Sequence, residues 1–214
     1  MIILIHSCKK KSDYAIKDID GNGYNSVTIG TQVWMAENLK TTKYRNGDLI
    51  GTTSPVTKDI SNESTPKYQW AYDDDKSNVA KYGRLYTYYA VTDSRNICPT
   101  GWHVPTDSEW STLTTYLGGE SVAGGKLREA GTTHWIKPNS GATNESGFTA
   151  LPGGYYNNSG KFIFVSGYGY WWSSTEISPA SAFGRVLSFD YNYVLKSYSN
   201  SRDGYSVRCL RDSI

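Results

Sequence analysis

The sequence has no long apolar run, no excess of either charge and very little histidine. No stretch of about 18 apolar residues occurs, so no membrane-spanning helix is predicted. The chain carries 22 basic and 20 acidic side chains, and this balance gives no reason to expect nucleic acid as a partner. Only 3 histidines are present, and we predict no catalytic residue, no bound metal and no cofactor.

Tyrosine and tryptophan are abundant instead. The chain contains 18 Tyr and 7 Trp but only 5 Phe, and it also contains 21 Gly. Tyrosine and tryptophan bury an apolar body while keeping a polar group at the tip, and they suit half-buried strands. The composition therefore predicts a strand- and turn-rich protein outside the cytoplasm. The length suffices for one sizeable core, or for one domain plus a small appendage.

The first eight residues resemble the end of a bacterial lipoprotein signal. Ile5 stands three positions before Cys8, and the small residue Ser7 stands directly before it. His6 is atypical, and no charged region precedes the short apolar run. Two interpretations remain open: Cys8 carries lipid, or it is an incidental thiol after a misplaced start.

We favour the lipid-carrying interpretation. It divides the chain into a signal remnant over residues 1–8, a polar tether over 9–19 and a single domain over 20–214. Such a protein is expected on the outer membrane, facing the periplasm or the exterior, and would otherwise be secreted. It would touch the membrane only through its N-terminal lipid.

The segment DIDGNGYN begins like a calcium-binding loop. Asp18, Asp20, Asn22 and Gly23 match the opening of that pattern. The twelfth position is Ile29, where such a loop needs a bidentate carboxylate. A glycine-rich hairpin turn is the favoured interpretation.

Two helices are predicted in the middle of the chain. The segment YGRLYTYYAVTD has helical spacing and predicts a short first helix. Thr106 and Glu109 form the T-x-x-E pattern of a capping box, and an apolar stripe follows, so a second helix is predicted over residues 107–117. After Gly119 a loop-rich region is expected, with at most one helical turn near residues 126–130.

Strands are predicted before and after these helices. Short strands are expected at Ser26–Ile29 and Gln32–Met35, and an antiparallel meander is expected from Phe148 onwards. This order predicts an α+β domain with its helices grouped together. The predicted core consists of Trp102, Val104, Trp110, Leu113, Leu117, Leu151, Val186, Leu187 and Val207.

The segment NICPTGWHVPTDSEW raises the question of whether Cys98 and His103 are a nucleophile and a base. No second histidine or carboxylate stands in a plausible relation to them, so a disulfide between Cys98 and Cys209 is favoured. It would close a loop of about 112 residues and stabilise the fold by roughly 4.7 kcal/mol. His103 is then interpreted as a surface or loop residue.

Six motifs in order resemble the Fibrobacter succinogenes major paralogous domain family. They are VTIGTQVWMAENLKTTKYRNGD, YGRLYTYYAV, CPTGWHVPTDSEW, GFTALPGGY, YWWSSTE and GYSVRCLRD. Members of this family look like secreted or lipid-anchored proteins, many from Bacteroidota-type bacteria. The resemblance covers most of the chain.

The resemblance implies a C-type lectin-like fold: two short helices packed on antiparallel sheets, a long loop region and a terminal disulfide brace. It agrees with pairing Cys98 and Cys209. The Glu-Pro-Asn, Gln-Pro-Asp and Trp-Asn-Asp motifs of calcium-dependent sugar-binding lectins are absent. No cysteine lies between Cys98 and Cys209, so the redox cysteine pair of sulfatase-activating relatives is absent too.

The preferred functional hypothesis is a non-catalytic binding module for a glycan or a surface protein, because exposed aromatic rings stack on sugars and anchor interfaces. The alternative is a structural or assembly subunit of a surface complex or appendage; an enzyme is the weakest hypothesis. In an alternating strand the neighbours Trp171 and Trp172 face opposite ways, so at most one is expected in the core. The candidate ligand-binding residues are Trp135, Tyr155, Tyr156, Tyr168, Tyr170, Trp171 and Trp172.

Overall fold

The computed structural model of the protein describes residues 16–213. Within them, sheets dominate a mixed α+β fold and the helices are short. The strands are β1 (Ile16–Lys17), β2 (Gly23–Tyr24), β3 (Ser26–Ile29), β4 (Gln32–Met35), β5 (Gln69–Trp70), β6 (Leu85–Thr87), β7 (Trp102–His103), β8 (Gly153–Asn157), β9 (Lys161–Val165), β10 (Tyr168–Ser178), β11 (Ser181–Ser188), β12 (Leu195–Asn200), β13 (Gly204–Tyr205) and β14 (Leu210–Arg211). The helices are α1 (Ser77–Tyr82), α2 (Tyr88–Val91), α3 (Asp107–Tyr116) and α4 (Glu120–Leu127).

The strands form one large sheet, one small sheet and a hairpin. The large sheet has the order β12-β11-β10-β8-β13-β6-β5, with β9 paired to β8, and the small sheet has the order β3-β4-β14-β7. The predicted meander is found in β10, β11 and β12, but β10 lies parallel to β8. The reason is that β9 folds back on one edge of β8, and β10 reverses again on the other edge.

The predictions for β3, β4 and α3 are confirmed. Thr106 caps α3 by accepting a hydrogen bond from the Glu109 N–H, and the Glu109 carboxylate accepts one from the Thr106 N–H in return. The Asp18 turn is confirmed as well. The Asp18 carboxylate accepts hydrogen bonds from the backbone N–H groups of Asp20 and Asn22, which closes the β1–β2 hairpin.

Two helix predictions need correction. The first predicted helix begins only at Tyr88, because the residues before it form β6. The loop-rich region predicted after Gly119 begins only at residue 128, because the residues before it form α4. The Gly124–Gly125 pair of α4 has poor helix propensity, so the sequence did not predict this helix. Both glycines are nevertheless needed for close packing. A Cβ on Gly124 would come within 2.6 Å of the Asn192 carbonyl oxygen.

The predicted disulfide is present. Cys98 and Cys209 are bonded, with a Cα–Cα distance of 6.0 Å, and both are buried. Cys98 precedes β7 and Cys209 precedes β14, and these two strands pair with each other. The bridge and the strand pairing together hold the C-terminal strand against the centre of the chain.

The core consists of three clusters, of which the two largest lie on opposite sides of β10. The predicted core is confirmed except for Leu151, which is only partly buried. Among the described residues, no helix has both the length and the apolar character needed to cross a membrane.

Candidate ligand-binding face

Four of the seven predicted ligand-binding aromatics are core residues. Trp135, Tyr156, Trp171 and Trp172 are each no more than 1% exposed. Their indole N–H and hydroxyl groups all donate hydrogen bonds inside the protein. The prediction for these four is therefore wrong, because a fully buried ring has no face to offer a ligand.

Trp171 and Trp172 also correct the expectation that at most one of them is buried. They do point to opposite sides of β10, as alternation requires. However, both sides of this strand are covered. Trp171 packs in the cluster that contains Trp110 from α3, and Trp172 packs in the cluster that contains Tyr205.

The other three predicted residues come together on one side of the large sheet. Gly154 of β8 is in register with Gly169 of β10, so the next residues, Tyr155 and Tyr170, are neighbours. Their ring centroids are 4.7 Å apart, and Tyr168 lies 6.2 Å from Tyr170 along the same strand. All three rings are half-buried, which leaves part of each exposed.

Three further aromatic residues extend this cluster. Phe164 of β9 is 51% exposed and lies 5.2 Å from Tyr168. Tyr191 and Tyr193, in the loop between β11 and β12, stack in parallel at 3.8 Å. The neighbouring Tyr191 contributes to the raised pKa of Tyr170. We define the tyrosine face as Tyr155, Phe164, Tyr168, Tyr170, Tyr191 and Tyr193.

The tyrosine face rests on buried aromatic residues. Tyr205 of β13 lies 5.0 Å from Tyr170 and 5.6 Å from Tyr155. On its other side Tyr205 stacks on Trp172 at 4.4 Å, and its hydroxyl donates to the Ser199 hydroxyl. The exposed rings are thus held by a packed layer, which fixes their positions before any ligand arrives.

The hydroxyl groups of the face differ from those of the core. Core tyrosines such as Tyr24 and Tyr86 donate to Asp18 and to the Thr41 carbonyl oxygen. Among the described residues, the Tyr168 and Tyr170 hydroxyls make no hydrogen bond, and neither is a fully buried group that lacks a partner. These two groups are therefore available to a ligand.

Burial and mutual proximity shape the electrostatics of the face. Burial raises the pKa of Tyr170, and the neighbouring Tyr155, Tyr168 and Tyr191 raise it further. Burial raises the pKa of Tyr191 to about 12. The hydroxyls of these two residues therefore stay protonated at neutral pH. Since no member of the face is charged, it offers apolar rings and neutral hydroxyls.

One carboxyl group lies behind the face. Burial raises the pKa of Asp203 to about 6, although a hydrogen bond from the Asn158 N–H opposes this. Asp203 lies near Tyr155 and Tyr205 and contributes to the raised pKa of both. It is half-buried.

The segment around Cys98 provides no nucleophile. The Cys98 sulfur is bonded to Cys209, so no thiol stands beside His103. His103 instead contacts the carboxylates of Glu109 and Asp212. Within residues 16–213, no group of three or more histidine, cysteine, aspartate or glutamate side chains is arranged to hold a metal ion.

Comparison with known proteins identifies the family. The family model described as Fibrobacter succinogenes major domain matches residues 27–211, and the chain therefore belongs to that family. The six motifs in the sequence had indicated this family. Neither the curated proteins nor the solved structures contain a significant match to the chain.

Proposed function

We propose that the protein is a non-catalytic binding module whose ligand lies on the tyrosine face. The observation that carries the proposal is a cluster of partly exposed rings, including Tyr168 and Tyr170, whose hydroxyls have no partner among the described residues. A tyrosine in a folded protein ordinarily finds a hydrogen-bond partner for its hydroxyl when it is buried. Rings that are rigidly held but polar at the tip suit a ligand that needs both stacking and hydrogen bonds.

A glycan without charge fits this face best. Sugar rings present apolar C–H faces that stack on aromatic side chains, and hydroxyls that bond to neutral donors and acceptors. An acidic polysaccharide needs basic side chains, and the face contains none. A protein ligand is the alternative, because tyrosine-rich surfaces also anchor protein interfaces.

A glycan array probed with the wild type and three matched variants tests the proposal. Wild type is expected to bind neutral polysaccharides, and Tyr170→Ala and Tyr168→Ala are expected to bind them at least about tenfold more weakly. Tyr116→Ala is the control, because Tyr116 is 66% exposed but lies on α3, away from the face. Equal binding by all the proteins would show that the tyrosine face is not the binding site. If no glycan binds, and if a protein binds to wild type but not to Tyr170→Ala, the protein ligand would be favoured.

A second candidate is an assembly subunit, and β12 is the observation that favours it. This strand ends the large sheet, pairs with β11 over six regular positions and has no other described neighbour. Its one charged residue, Lys196, is bound to Asp107 at 2.7 Å and so does not protect the edge. A concentration-independent monomer in light scattering would count against this role.

We further propose that Cys8 carries lipid and attaches the domain to the outer membrane, facing the periplasm or the exterior; otherwise the protein is secreted. Cys8 and the tether up to residue 15 lie outside the described residues. The support is the lipobox-like Ile5, Ser7 and Cys8, and the pairing of the other two cysteines with each other. Labelling with an alkyne palmitate, with a full signal added upstream, tests it: the label should be lost in Cys8→Ala.

We also propose that the domain, over residues 20–214, has a C-type lectin-like fold. The support is the order of α2, Cys98, β7 and α3, followed by the bridge to Cys209, which is the arrangement that the family resemblance implies. An experimental structure compared with C-type lectin domains tests it, and a different strand connectivity would contradict it.

A further inference from the structure

Both nitrogens of the His103 imidazole contact carboxylates. Nδ1 lies 2.6 Å from Asp212 Oδ1, and Nε2 lies 3.0 Å from Glu109 Oε1. The three residues come from separate parts of the molecule: His103 ends β7, Glu109 lies in the first turn of α3, and Asp212 follows β14. One ring therefore joins three elements.

The two carboxylates are held differently by the rest of the protein. Glu109 Oε2 already accepts hydrogen bonds from the Thr106 backbone N–H and hydroxyl. The Asp212 backbone N–H donates to the Gly101 carbonyl oxygen, but its side chain contacts only His103 among the described residues. The position of the Asp212 side chain thus depends on its contact with His103.

The chemistry of imidazole makes this contact depend on a proton. A neutral imidazole has one N–H donor and one lone pair, whereas the imidazolium ion has two donors. In the neutral ring, whichever tautomer forms, a lone pair faces a carboxylate oxygen within 3.0 Å. That contact between a lone pair and a carboxylate oxygen is repulsive. One of the two carboxylates therefore loses its hydrogen bond to His103 and moves away from the ring.

We infer that His103 is a proton-dependent latch that holds the Asp212 side chain, and with it residues 212–213, against the start of α3. In the protonated state it donates to Glu109 and Asp212 together. When the proton is lost, the Asp212 side chain is released, since Glu109 keeps its two bonds to Thr106. The backbone pairing of β14 with β7 persists in both states.

The two carboxylates that His103 contacts, those of Glu109 and Asp212, line a cleft of about 480 Å³. Glu109 and Thr112 of α3 line the cleft on one side, and Arg211 and Asp212 line it on another. The turn between β3 and β4 completes it. Release of Asp212 therefore changes the shape and charge of this cleft, and leaves the tyrosine face as it is.

The surrounding charges favour the protonated ring. Glu109 faces it from α3, Asp212 faces it from the segment after β14, and Arg211 precedes Asp212. Asp93, which follows α2, shares the groove on the other side of the ring, but it is bound to Lys67 and Arg95. Burial disfavours the charged imidazolium, but the hydrogen bonds to Asp212 and Glu109 outweigh burial and raise the His103 pKa.

The direction of the pH effect follows from this. The pKa in the folded protein is raised above the unfolded value of about 6.5. The stabilisation that protonated His103 gives to the folded state is then fully present below about pH 6.5. It is lost as the pH rises through the pKa of His103 in the folded protein.

Nuclear magnetic resonance titration of the histidine rings tests the latch in the folded protein. We expect His103 to titrate above about pH 6.5, and its titration to shift to lower pH in Asp212→Asn and in Glu109→Gln. The glutamine retains a capping-box acceptor for Thr106. His134→Asn is the control, since His134 contacts Glu129 on another part of the surface and its removal should leave the His103 titration unchanged. A His103 titration that is the same in wild type and Asp212→Asn would overturn the proposal.

A stability measurement separates the latch from a purely structural role. Urea midpoints of wild type and His103→Gln should differ at about pH 6 and converge by about pH 9, because the neutral ring no longer holds both carboxylates. Hydrogen exchange at the Asp212 amide should become faster over the same range, beyond the ordinary pH dependence seen in His103→Gln. A midpoint difference that is constant with pH would contradict the latch.

Discussion

The braced end of the molecule, which comprises β7, the start of α3, β14 and the Cys98–Cys209 bridge, contrasts with the tyrosine face. At the braced end, the Glu109 carboxylate contacts both Thr106 and His103. On the tyrosine face, the hydroxyls of Tyr168 and Tyr170 have no partner among the described residues. The comparison indicates that the braced end supplies stability, while the tyrosine face keeps unpaired hydroxyls that the proposed ligand would use.

The largest effect is expected from removal of the disulfide, which tests whether the braced end supplies stability independently of the tyrosine face. Cys98→Ala should reduce the free energy of unfolding by roughly 2–5 kcal/mol, because the unfolded chain regains the freedom that the closed loop restricts. Urea denaturation measures it. The double variant Cys98→Ala/Cys209→Ala should be destabilised equally, since only one bridge is lost. Under conditions where both variants remain folded, binding at the tyrosine face should persist, and its loss would contradict the division.

The cap of α3 is expected to have a smaller effect. Thr106→Ala should cost about 1 kcal/mol, because the Glu109 N–H loses its acceptor at the start of the helix. Thr112→Ala is the matched control in the same helix: its exposed hydroxyl bonds only to the Ser108 carbonyl oxygen, one turn earlier. Equal stability of the two variants in urea would show that the cap contributes nothing.

Two tyrosine-to-phenylalanine changes compare the buried layer with the exposed layer of the face. Tyr205→Phe should cost about 1 kcal/mol, because it removes the bond to the Ser199 hydroxyl. Tyr170→Phe should change stability by less than about 0.5 kcal/mol, because its hydroxyl has no partner in the protein. It should nevertheless weaken ligand binding. A stability loss for Tyr170→Phe as large as that for Tyr205→Phe would refute the contrast.

A further expected effect is the pH dependence that arises from Asp203. Burial raises its pKa to about 6, above the unfolded value of about 3.9, so the folded state binds the proton more tightly. The contribution of Asp203 to the unfolding free energy is therefore most favourable at low pH and falls as the pH rises from about 4 to about 6. Asp203→Asn should remove that fall. An unchanged slope in urea titrations of the variant would show that Asp203 is not desolvated.

Local patterns in the sequence predicted those features that depend on neighbouring residues. The capping box at Thr106 places the start of α3, and turn residues place the strands β3 and β4. Helix α4 was missed because Gly124 and Gly125 suit close packing against the loop at Asn192 rather than helix formation. Local spacing carries no information about such a contact.

Features that depend on distant residues were predicted only in part. Alternation gave the opposite directions of Trp171 and Trp172 correctly, but it does not show that both sides of β10 are covered. The partner of His103 at Asp212 lies 109 positions away in the sequence. Tyrosine richness indicated the face, yet the sequence could not separate its half-buried rings from the fully buried ones, because that depends on the neighbouring strands.

The small sheet has a consequence for how the domain connects to other parts of a polypeptide. Its order, β3-β4-β14-β7, places strands from the start and from the end of the family domain side by side, with Trp34 opposite Leu210. A domain whose first and last strands are adjacent can be inserted into a loop of another protein with little distortion of that protein. It can also be circularly permuted with little change to its own fold.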